Sequence, residues 1–231
     1  MPSPVIIALD FESSAAALAL VDRLGPEADH YKVGLQLLTE SGPQVVRELV
    51  SSGKQVFLDL KLHEIPNSVA NAVKAAGKLG ASMVTVHTSA GSAVLRAAAT
   101  AAESYPNLKV LGLTVITSLS DAELPEIGLA PSIKDQVFRL ASLACRSGCH
   151  GVVASAQEAA YLRGSLPAGV LIVCPGIQLS QPTAADQVRI STPAAAAKAG
   201  ATHIVIGRAI AGASEPLAAY RTAVESFNNG V

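Results

Sequence analysis

The chain has 231 residues, half of them hydrophobic, and its 17 basic side chains are balanced by 18 acidic ones. The formal net charge of −1 provides no broad positive field for nucleic acid, and four Phe, four Tyr and no Trp leave few rings for base stacking. This composition therefore argues against nucleic acid as a partner and excludes a disordered chain. The length fits one domain of a class that routinely reaches about 200–250 residues.

Three cysteines, Cys145, Cys149 and Cys174, are an odd number and indicate small buried side chains in a reducing compartment, not a disulfide framework. No basic segment precedes the first apolar run, which argues against a signal peptide. The longest charge-free stretch, residues 164–185, contains three prolines and several glycines, so it does not suit a membrane span. We therefore expect a cytoplasmic protein without a membrane partner.

Short β-branched runs alternate with Ala- and Leu-rich stretches along the whole chain. The predicted strands are Val5–Phe11, His30–Gly34, Gln55–His63, Ser82–Thr88, Lys109–Thr117, Gly151–Ser155, Gly169–Pro175 and His203–Gly207. The predicted helices are Ser14–Leu24, Gln44–Ser51, Ser68–Leu79, Ala93–Glu103, Ile133–Arg146, Gln157–Arg163, Thr192–Ala199 and Glu215–Ser226.

This alternation favours the α/β class with a parallel sheet, because parallel neighbours need a crossover connection. Eight such units predict a single (β/α)₈ TIM barrel that takes up residues 1–231 as one domain. An open doubly wound sheet is the other interpretation, but no G-x-G-x-x-G follows the first strand. In a barrel the chemistry lies at the carboxyl ends of the strands, where polar residues indicate the site.

The third predicted strand ends in a cluster of charged residues. Side chains alternate along a strand, so Asp59 and Lys61 share the inner face while the leucines between them pack under the helices. Lys32 ends the neighbouring strand and brings a second ammonium to the same carboxylate, and Glu64 adds a charge at the strand's exit. A buried ion pair that only closes the core is the alternative, but it does not require so many charges. The clustering indicates an active site.

The last predicted strand ends in Gly207-Arg208, where backbone amides and a guanidinium would be close to a ligand. The loops after strands seven and eight are the usual phosphate site of a TIM barrel. A surface arginine is the other interpretation of Arg208. The turn over residues 174–178 and the polar loop over 178–190 favour the phosphate site.

Several segments match one family in order and approximate spacing over nearly the whole chain. They are Ala8-Leu9-Asp10, Lys32-Val33-Gly34, Phe57–Ser68, Val115-Ile116-Thr117-Ser118, Cys174-Pro175-Gly176-Ile177, Asp186-Gln187 and Val205-Ile206-Gly207-Arg208. With them the chain resembles the orotidine 5′-monophosphate decarboxylase family of the bacterial type. The Asp-x-Lys-x-x-acidic core is common to a wider superfamily of barrels, whereas the following Ile-Pro-Asn-hydroxyl is more specific to the decarboxylases.

The resemblance implies decarboxylation of orotidine 5′-monophosphate to UMP and CO₂, the last step of de novo UMP biosynthesis, with no cofactor and no metal. By the same resemblance Lys61 is the proton donor, Asp59 lies beside the departing carboxylate, and Lys32 holds Asp59 and the ribose. The acidic residue at position 64 reaches across a homodimer interface into the partner's site, so each site needs two chains.

The resemblance also implies the substrate contacts. Asp10 and Ser68 bind ribose hydroxyls or nearby groups, and Thr117 and Ser118 bind the pyrimidine. The phosphate contacts are Gln187, Gly207 and Arg208, and the 178–190 loop is expected to act as a lid. The remaining residues assigned to the substrate site are Ile65, Pro66, Asn67, Pro175 and Gln178.

The sequence departs from the family at three positions. Glu64 stands where the family usually has Asp, Gln178 where bacterial members often have Arg, and Ser68 where Thr is usual. Gln178 leaves Arg208 as the main cationic phosphate ligand, so we expect weaker phosphate binding. Two other functions stay open: an Mg²⁺-dependent sugar-phosphate lyase or decarboxylase of the same superfamily, and a non-catalytic nucleotide-binding barrel. The roles of His63 and His87 are also open.

Overall fold

In the computed structural model, which describes residues 3–179 and 189–231, eight parallel strands close into a barrel in chain order. Each strand pairs with the next, and β1 pairs with β8 through Val5–Ile204, Ile6–Val205 and Ile7–Ile206. The predicted TIM barrel is therefore confirmed. The strands are β1 (Val5–Ala8), β2 (His30–Gly34), β3 (Gln55–Leu62), β4 (Met83–His87), β5 (Lys109–Leu113), β6 (Gly151–Val153), β7 (Leu171–Cys174) and β8 (His203–Ile206).

All eight predicted helices are present, with ends that differ from the prediction by no more than a few residues. The helices are α1 (Ser14–Leu24), α2 (Leu35–Ser41), α3 (Gln44–Ser51), α4 (Pro66–Lys78), α5 (Ser92–Ala102), α6 (Ile133–Arg146), α7 (Ala156–Ser165), α8 (Pro193–Lys198), α9 (Arg208–Ala211) and α10 (Pro216–Asn228). Two 3₁₀ turns cover Thr88–Ala90 and Leu124–Ile127. Within the described ranges, no helix is long and apolar enough to cross a lipid bilayer.

The sequence did not predict α2 and α9, and both begin directly after a strand. Gly34 ends β2 and is also the N-cap of α2, and Gly207 follows β8 and is the N-cap of α9. Because at most one glycine separates strand from helix at these two points, the sequence pattern gives no clear boundary there.

The alternation of side chains along the strands produces two apolar layers. Phe57 on β3 lies in the barrel interior, whereas its neighbour Leu58 packs in the layer between strands and helices. Leu60 and Leu62 pack against that same outer layer, as the sequence predicts. The interior layer consists of Ile6, Ala8, Phe57, Met83, Leu111, Leu113, Val153, Val173 and Val205.

Several strands end earlier than predicted at their carboxyl ends. The fifth strand was predicted to run to Thr117, but β5 ends at Leu113 because its neighbour β6 ends at Val153, the residue that pairs with Leu113. The backbone N–H and the side-chain hydroxyl of Thr114 then both donate to the Val153 carbonyl, at 3.2 and 2.8 Å. Residues 114–118 therefore form a loop at the mouth of the barrel.

Candidate active site

The carboxyl end of β3 is irregular. Leu58 pairs with Val84 and Leu62 with Val86, so β3 takes four steps where β4 takes two. Lys61 lies within this bulge with φ of +49°, the only positive φ at a non-glycine position among the described residues. A bulge of this kind re-aims side chains, and here Asp59 and Lys61 on either side of Leu60 both line the barrel mouth.

A single side chain on β4 faces the whole bulge. The hydroxyl of Thr85 donates to Asp59 Oδ1 at 3.0 Å and accepts the backbone N–H of Lys61 at 2.8 Å. Thr85 is fully buried, so water does not compete for either hydrogen bond. Its hydroxyl therefore fixes both the carboxylate orientation of Asp59 and the backbone of Lys61.

Two lysines and two aspartates meet at the ends of β1, β2 and β3, and we call Asp10, Lys32, Asp59 and Lys61 the open cluster. The Nζ of Lys61 lies 2.9 Å from Asp59 Oδ2, and the Nζ of Lys32 lies 3.9 Å from the same oxygen. Lys32 is closer to Asp10, whose Oδ1 accepts its ammonium at 2.9 Å. The structure thus brings the predicted charges together, with Lys32 between two carboxylates.

Gly34 leaves the room that this arrangement needs. A Cβ at position 34 would lie 3.0 Å from Lys32 Nζ and 3.3 Å from Asp10 Oδ1. A side chain there would therefore press on the contact between the Lys32 ammonium and the Asp10 carboxylate.

The open cluster lines a cavity of about 970 Å³ at the mouth of the barrel. The cavity floor is apolar and includes Ala8, Phe57, Leu113, Val153 and Val205 from the interior layer. Eight other predicted site residues join Asp59 and Lys61 in its wall. They are Asp10, Lys32, Thr117, Ser118, Pro175, Gln178, Gly207 and Arg208.

The proposed phosphate side of the cavity is anchored through backbone contacts. Ile177 and Ser191 form an isolated parallel bridge, with Gln178 N–H donating to the Ser191 carbonyl at 2.9 Å and Ser191 N–H to the Gly176 carbonyl at 3.0 Å. These bonds join the two ends of the segment that follows β7. The predicted phosphate ligand Gln187, and residues 180–188 of the predicted lid, lie outside the described residues.

Residues 64–68, by contrast, do not line the cavity of their own chain. Glu64 is exposed and accepts the backbone N–H of Ile65 at 2.8 Å. This bond and one from the Ser68 hydroxyl hold the pKa of the Glu64 carboxyl below its usual value. Ile65 is 62% exposed, and Pro66 and Asn67 are exposed at the start of α4. Within one chain, five predicted site residues thus stand apart from the open cluster.

His63, directly after β3, and His87, at the end of β4, form a stacked pair with ring centroids 5.0 Å apart and planes inclined by 19°. Burial lowers the pKa of His87, and electrostatic interactions with His63 and Lys61 lower it further. The Nδ1 of His87 is also 2.6 Å from the Ser89 hydroxyl. Neither histidine lines the cavity.

The carboxylates at the mouth of the barrel contact ammonium groups. Within residues 3–179 and 189–231, no group of three or more His, Cys, Asp and Glu side chains is arranged to hold a metal ion. Asp10 and Asp59 are each 2.9 Å from a lysine Nζ.

Sequence reasoning missed a buried ion pair beside the cavity, formed by Arg189 and Glu158, which we call the sealed pair. Arg189 Nη1 lies 2.6 Å from Glu158 Oε1, and its Nη2 donates to the Ile116 carbonyl at 2.8 Å. Thr85 was missed as well. For Thr85 and Arg189 the signal in the sequence is a polar residue between two apolar ones, and for Glu158 it is the Ser-x-x-Glu pattern of a helix start. Neither signal identifies the partner of the residue.

A closed (β/α)₈ barrel with lysines and aspartates at its mouth, and a Gly-Arg turn next to Asp10, is typical of the TIM-barrel enzymes. Residues 3–223 match the family model described as the orotidine 5′-phosphate decarboxylase / HUMPS family, and the chain belongs to that family. This confirms the resemblance found in the sequence motifs.

Curated relatives and solved structures agree with the family match. The chain is 50% identical over 220 residues to the orotidine 5′-phosphate decarboxylase of Laribacter hongkongensis, covering 94% of this chain and 89% of that protein. It is 49% identical over 218 residues to the enzyme of that name from Alkalilimnicola ehrlichii, covering 94% and 93%. The crystal structure of orotidine 5′-phosphate decarboxylase from Lactobacillus acidophilus superposes with a TM-score of 0.89 at 35% identity, covering 98% and 99% of the two chains.

Proposed function

We propose that this protein decarboxylates orotidine 5′-monophosphate to UMP and CO₂ without a cofactor. The observation that carries the proposal is the open cluster, in which the ammonium of Lys61 lies 2.9 Å from Asp59 inside a cavity that also contains Arg208. The names of the curated relatives support the same substrate. This activity would supply UMP at the end of its de novo synthesis.

Lys61 is the proton donor in this proposal. Loss of CO₂ breaks a carbon–carbon bond and leaves the electron pair on the ring carbon. An ammonium fixed beside that carbon stabilises the developing negative charge, and because it is already in place, no free energy is spent on reorienting it during the reaction. It then transfers a proton to the carbon, and the neutral amine takes a proton from solvent. One third of the Lys61 side chain is exposed to the cavity, which leaves its Nζ accessible to a substrate.

Asp59 and Lys32 set up the field in which this transfer takes place. The two lysines and two aspartates of the open cluster have no net formal charge, so the substrate carboxylate introduces an unbalanced negative charge. When the substrate carboxylate lies beside Asp59, the two negative charges repel each other, and the repulsion ends when neutral CO₂ leaves. Thr85 and Lys61 both hold Asp59 in the orientation that this requires.

Phosphate binding after β8, which is the neighbour of β1 in the barrel, supplies energy from a part of the substrate other than the reacting bond. Gln187, Gly207 and Arg208 bind the phosphate in this proposal, and Pro175 and Gln178 line the same cavity. Thr117 and Ser118 contact the pyrimidine. Asp10 binds the ribose together with Lys32. Binding energy from such a remote group can be used to align the substrate at the open cluster.

We also propose a cytoplasmic homodimer in which residues 64–68 complete the partner's site. Two observations support this: residues 64–67 are exposed, and none of residues 64–68 lines the cavity of its own chain. The apolar side chain of Ile65 is 62% exposed. Mixing the inactive variants Lys61→Ala and Glu64→Ala tests it. After subunit exchange, half of the dimers are hybrids with one intact site each, so activity returns to about a quarter of wild type. Independent sites within each chain would give no recovery.

The activity itself is tested by following the ultraviolet absorbance of orotidine 5′-monophosphate with purified protein, with and without excess EDTA. We expect the substrate band to disappear at the same rate in both samples. Loss of turnover in EDTA, restored by Mg²⁺, would favour the metal-dependent sugar-phosphate enzymes of the same superfamily. UMP binding without turnover would favour a non-catalytic nucleotide-binding barrel.

A further inference from the structure

The sealed pair is the most deeply buried of the ion pairs between described residues. Only 7% of the Arg189 side chain and 6% of the Glu158 side chain are exposed. Arg189 Nη2 also donates to two consecutive backbone carbonyls, at 2.8 Å to Ile116 and 3.4 Å to Val115. The guanidinium is therefore held by a carboxylate and two carbonyls, and none of these groups belongs to the open cluster.

These contacts join three successive loops at the mouth of the barrel. Val115 and Ile116 follow β5 and directly precede the proposed pyrimidine contacts Thr117 and Ser118. Glu158 lies in the first turn of α7, and its Oε2 accepts the backbone N–H of Ser155 after β6, at 2.7 Å.

Arg189 itself belongs to the segment after β7. It stands two residues before Ser191, which forms the backbone bridge to Ile177. The Arg189 side chain therefore connects the loop on the pyrimidine side of the cavity with the segment on the phosphate side.

Stability alone does not account for such a pair. Removing two ions from water costs several kcal/mol each, and a buried ion pair often stabilises no more than an apolar pair of similar volume. The Nε of Arg189 is buried and has no hydrogen-bond partner among the described residues, which adds to that cost. What a guanidinium supplies is a rigid planar fork of donors, which fixes several acceptors in one geometry.

We propose that Arg189 is a positioning residue that sets the pyrimidine side of the cavity relative to the phosphate side. This inference rests on the proposed function, since it assumes one ligand that contacts both sides at once. A nucleotide then binds tightly only when the two sides are at the right separation. The affinity for a ligand that contacts the phosphate side alone does not depend on Arg189. The backbone hydrogen bonds of Gly176 and Gln178 with Ser191 hold that side of the cavity without it.

The test is the variant Arg189→Lys, which keeps the charge beside Glu158 but loses the fork. Arg163→Lys is a matched control. Arg163 lies on α7, the helix that carries Glu158, and it also donates to two backbone carbonyls, of Val170 and Gly200, at the opposite end of the barrel. Calorimetric titration with UMP, which contacts both sides, and with ribose 5-phosphate, which lacks the pyrimidine, separates the two contributions.

We expect Arg189→Lys to raise the Kd of UMP about tenfold or more and that of ribose 5-phosphate less than about twofold, with Arg163→Lys changing neither. An unchanged Kd for UMP, or an equal loss for both ligands, would overturn the proposal. If Arg189→Lys does not fold, Glu158→Gln serves in its place, because it keeps the acceptor for Ser155 but removes the charge opposite Arg189. Since binding requires no turnover, a wild-type protein that binds UMP without decarboxylating orotidine 5′-monophosphate would contradict the proposed function and leave this test intact.

Discussion

The mouth of the barrel contains two ionic groups that differ chiefly in their access to the cavity. In the open cluster, 34% of the Lys61 side chain and 55% of the Asp10 side chain are exposed. In the sealed pair, the corresponding fractions are 7% for Arg189 and 6% for Glu158. The open cluster therefore has polar atoms available for a substrate, whereas the sealed pair directs its hydrogen bonds at the protein itself.

The difference in exposure predicts different roles for two ionic groups that both combine cations with carboxylates. A cation that faces a cavity acts on whatever enters it, and its loss affects turnover more than folding. A cation sealed among carbonyls acts on the backbone around it, and its loss affects stability and the relative placement of loops. The predictions below test whether this separation holds.

The largest expected effect is on turnover in Lys61→Ala. Removing the ammonium takes away both the electrostatic stabilisation and the proton donor, so we expect kcat to fall by about 10³- to 10⁴-fold or more. The free energy of unfolding should change by less than about 1 kcal/mol, because the partly exposed pair with Asp59 contributes little to it. Steady-state kinetics and urea denaturation measure the two quantities.

The exposed lysine Lys74 on α4 provides the control for that variant, since Lys74→Ala removes an ammonium far from the cavity wall. Turnover of Lys61→Ala within about tenfold of wild type would rule out Lys61 as the proton donor.

The next effect concerns stability in Glu158→Ala. The variant leaves the guanidinium of Arg189 buried without a counter-ion, so we expect the free energy of unfolding to fall by about 3–5 kcal/mol. The double variant Glu158→Leu with Arg189→Leu should recover most of that loss, because no uncompensated charge remains. Urea denaturation of the wild type and the two variants measures this. A loss below about 1 kcal/mol in Glu158→Ala would show that the pair contributes no more to stability than an exposed salt bridge does.

A smaller effect is expected in Thr85→Val, which keeps the shape of the side chain but removes the hydroxyl that holds Asp59 and the Lys61 backbone. We expect kcat to fall about tenfold with little change in KM, since the variant misplaces the reacting groups without touching the phosphate side.

Thr88→Val is the matched control. Thr88 is also fully buried, but its hydroxyl has no hydrogen-bond partner among the described residues. Equal losses of kcat in both variants would show that the effect comes from packing and not from the hydrogen bonds of Thr85.

The smallest expected effect is a gain in Gln178→Arg. A guanidinium on the cavity wall near Arg208 adds a charge-assisted hydrogen bond to the phosphate, so we expect KM to fall about three- to tenfold with kcat nearly unchanged. The gain should shrink as salt is raised. A KM that stays the same at low ionic strength would show that Gln178 does not face the phosphate.

The sequence predicted the parts of the molecule that follow from local pattern. The barrel follows from alternating strands and helices, and the inward placement of Asp59 and Lys61 follows from the period of two along a strand. The contacts of Arg189 could not be predicted, because they lie 31 residues away at Glu158 and 73 and 74 residues away at Ile116 and Val115. Such distances in sequence are bridged only by the closed barrel.

The bulge in β3 could not be predicted from the sequence either. The inward placement of Asp59 and Lys61 was correct, but it assumed a regular strand. In the structure, Lys61 adopts a left-handed backbone conformation that nothing in its neighbours' identities requires.

Because β3 has two extra residues between Leu58 and Leu62, the site depends on the length of this strand and not only on the identity of its residues. Between its pairs with Val84 and Val86, β3 places three residues opposite Thr85 alone. A strand shorter by two residues would satisfy the same backbone ladder with β4 and still close the barrel, but it would present one fewer inward-facing polar position. In this barrel the pairing of β3 with β4 and the number of site residues on β3 are therefore set separately. Insertions or deletions between Leu58 and Leu62 would change the site without disturbing the pairing.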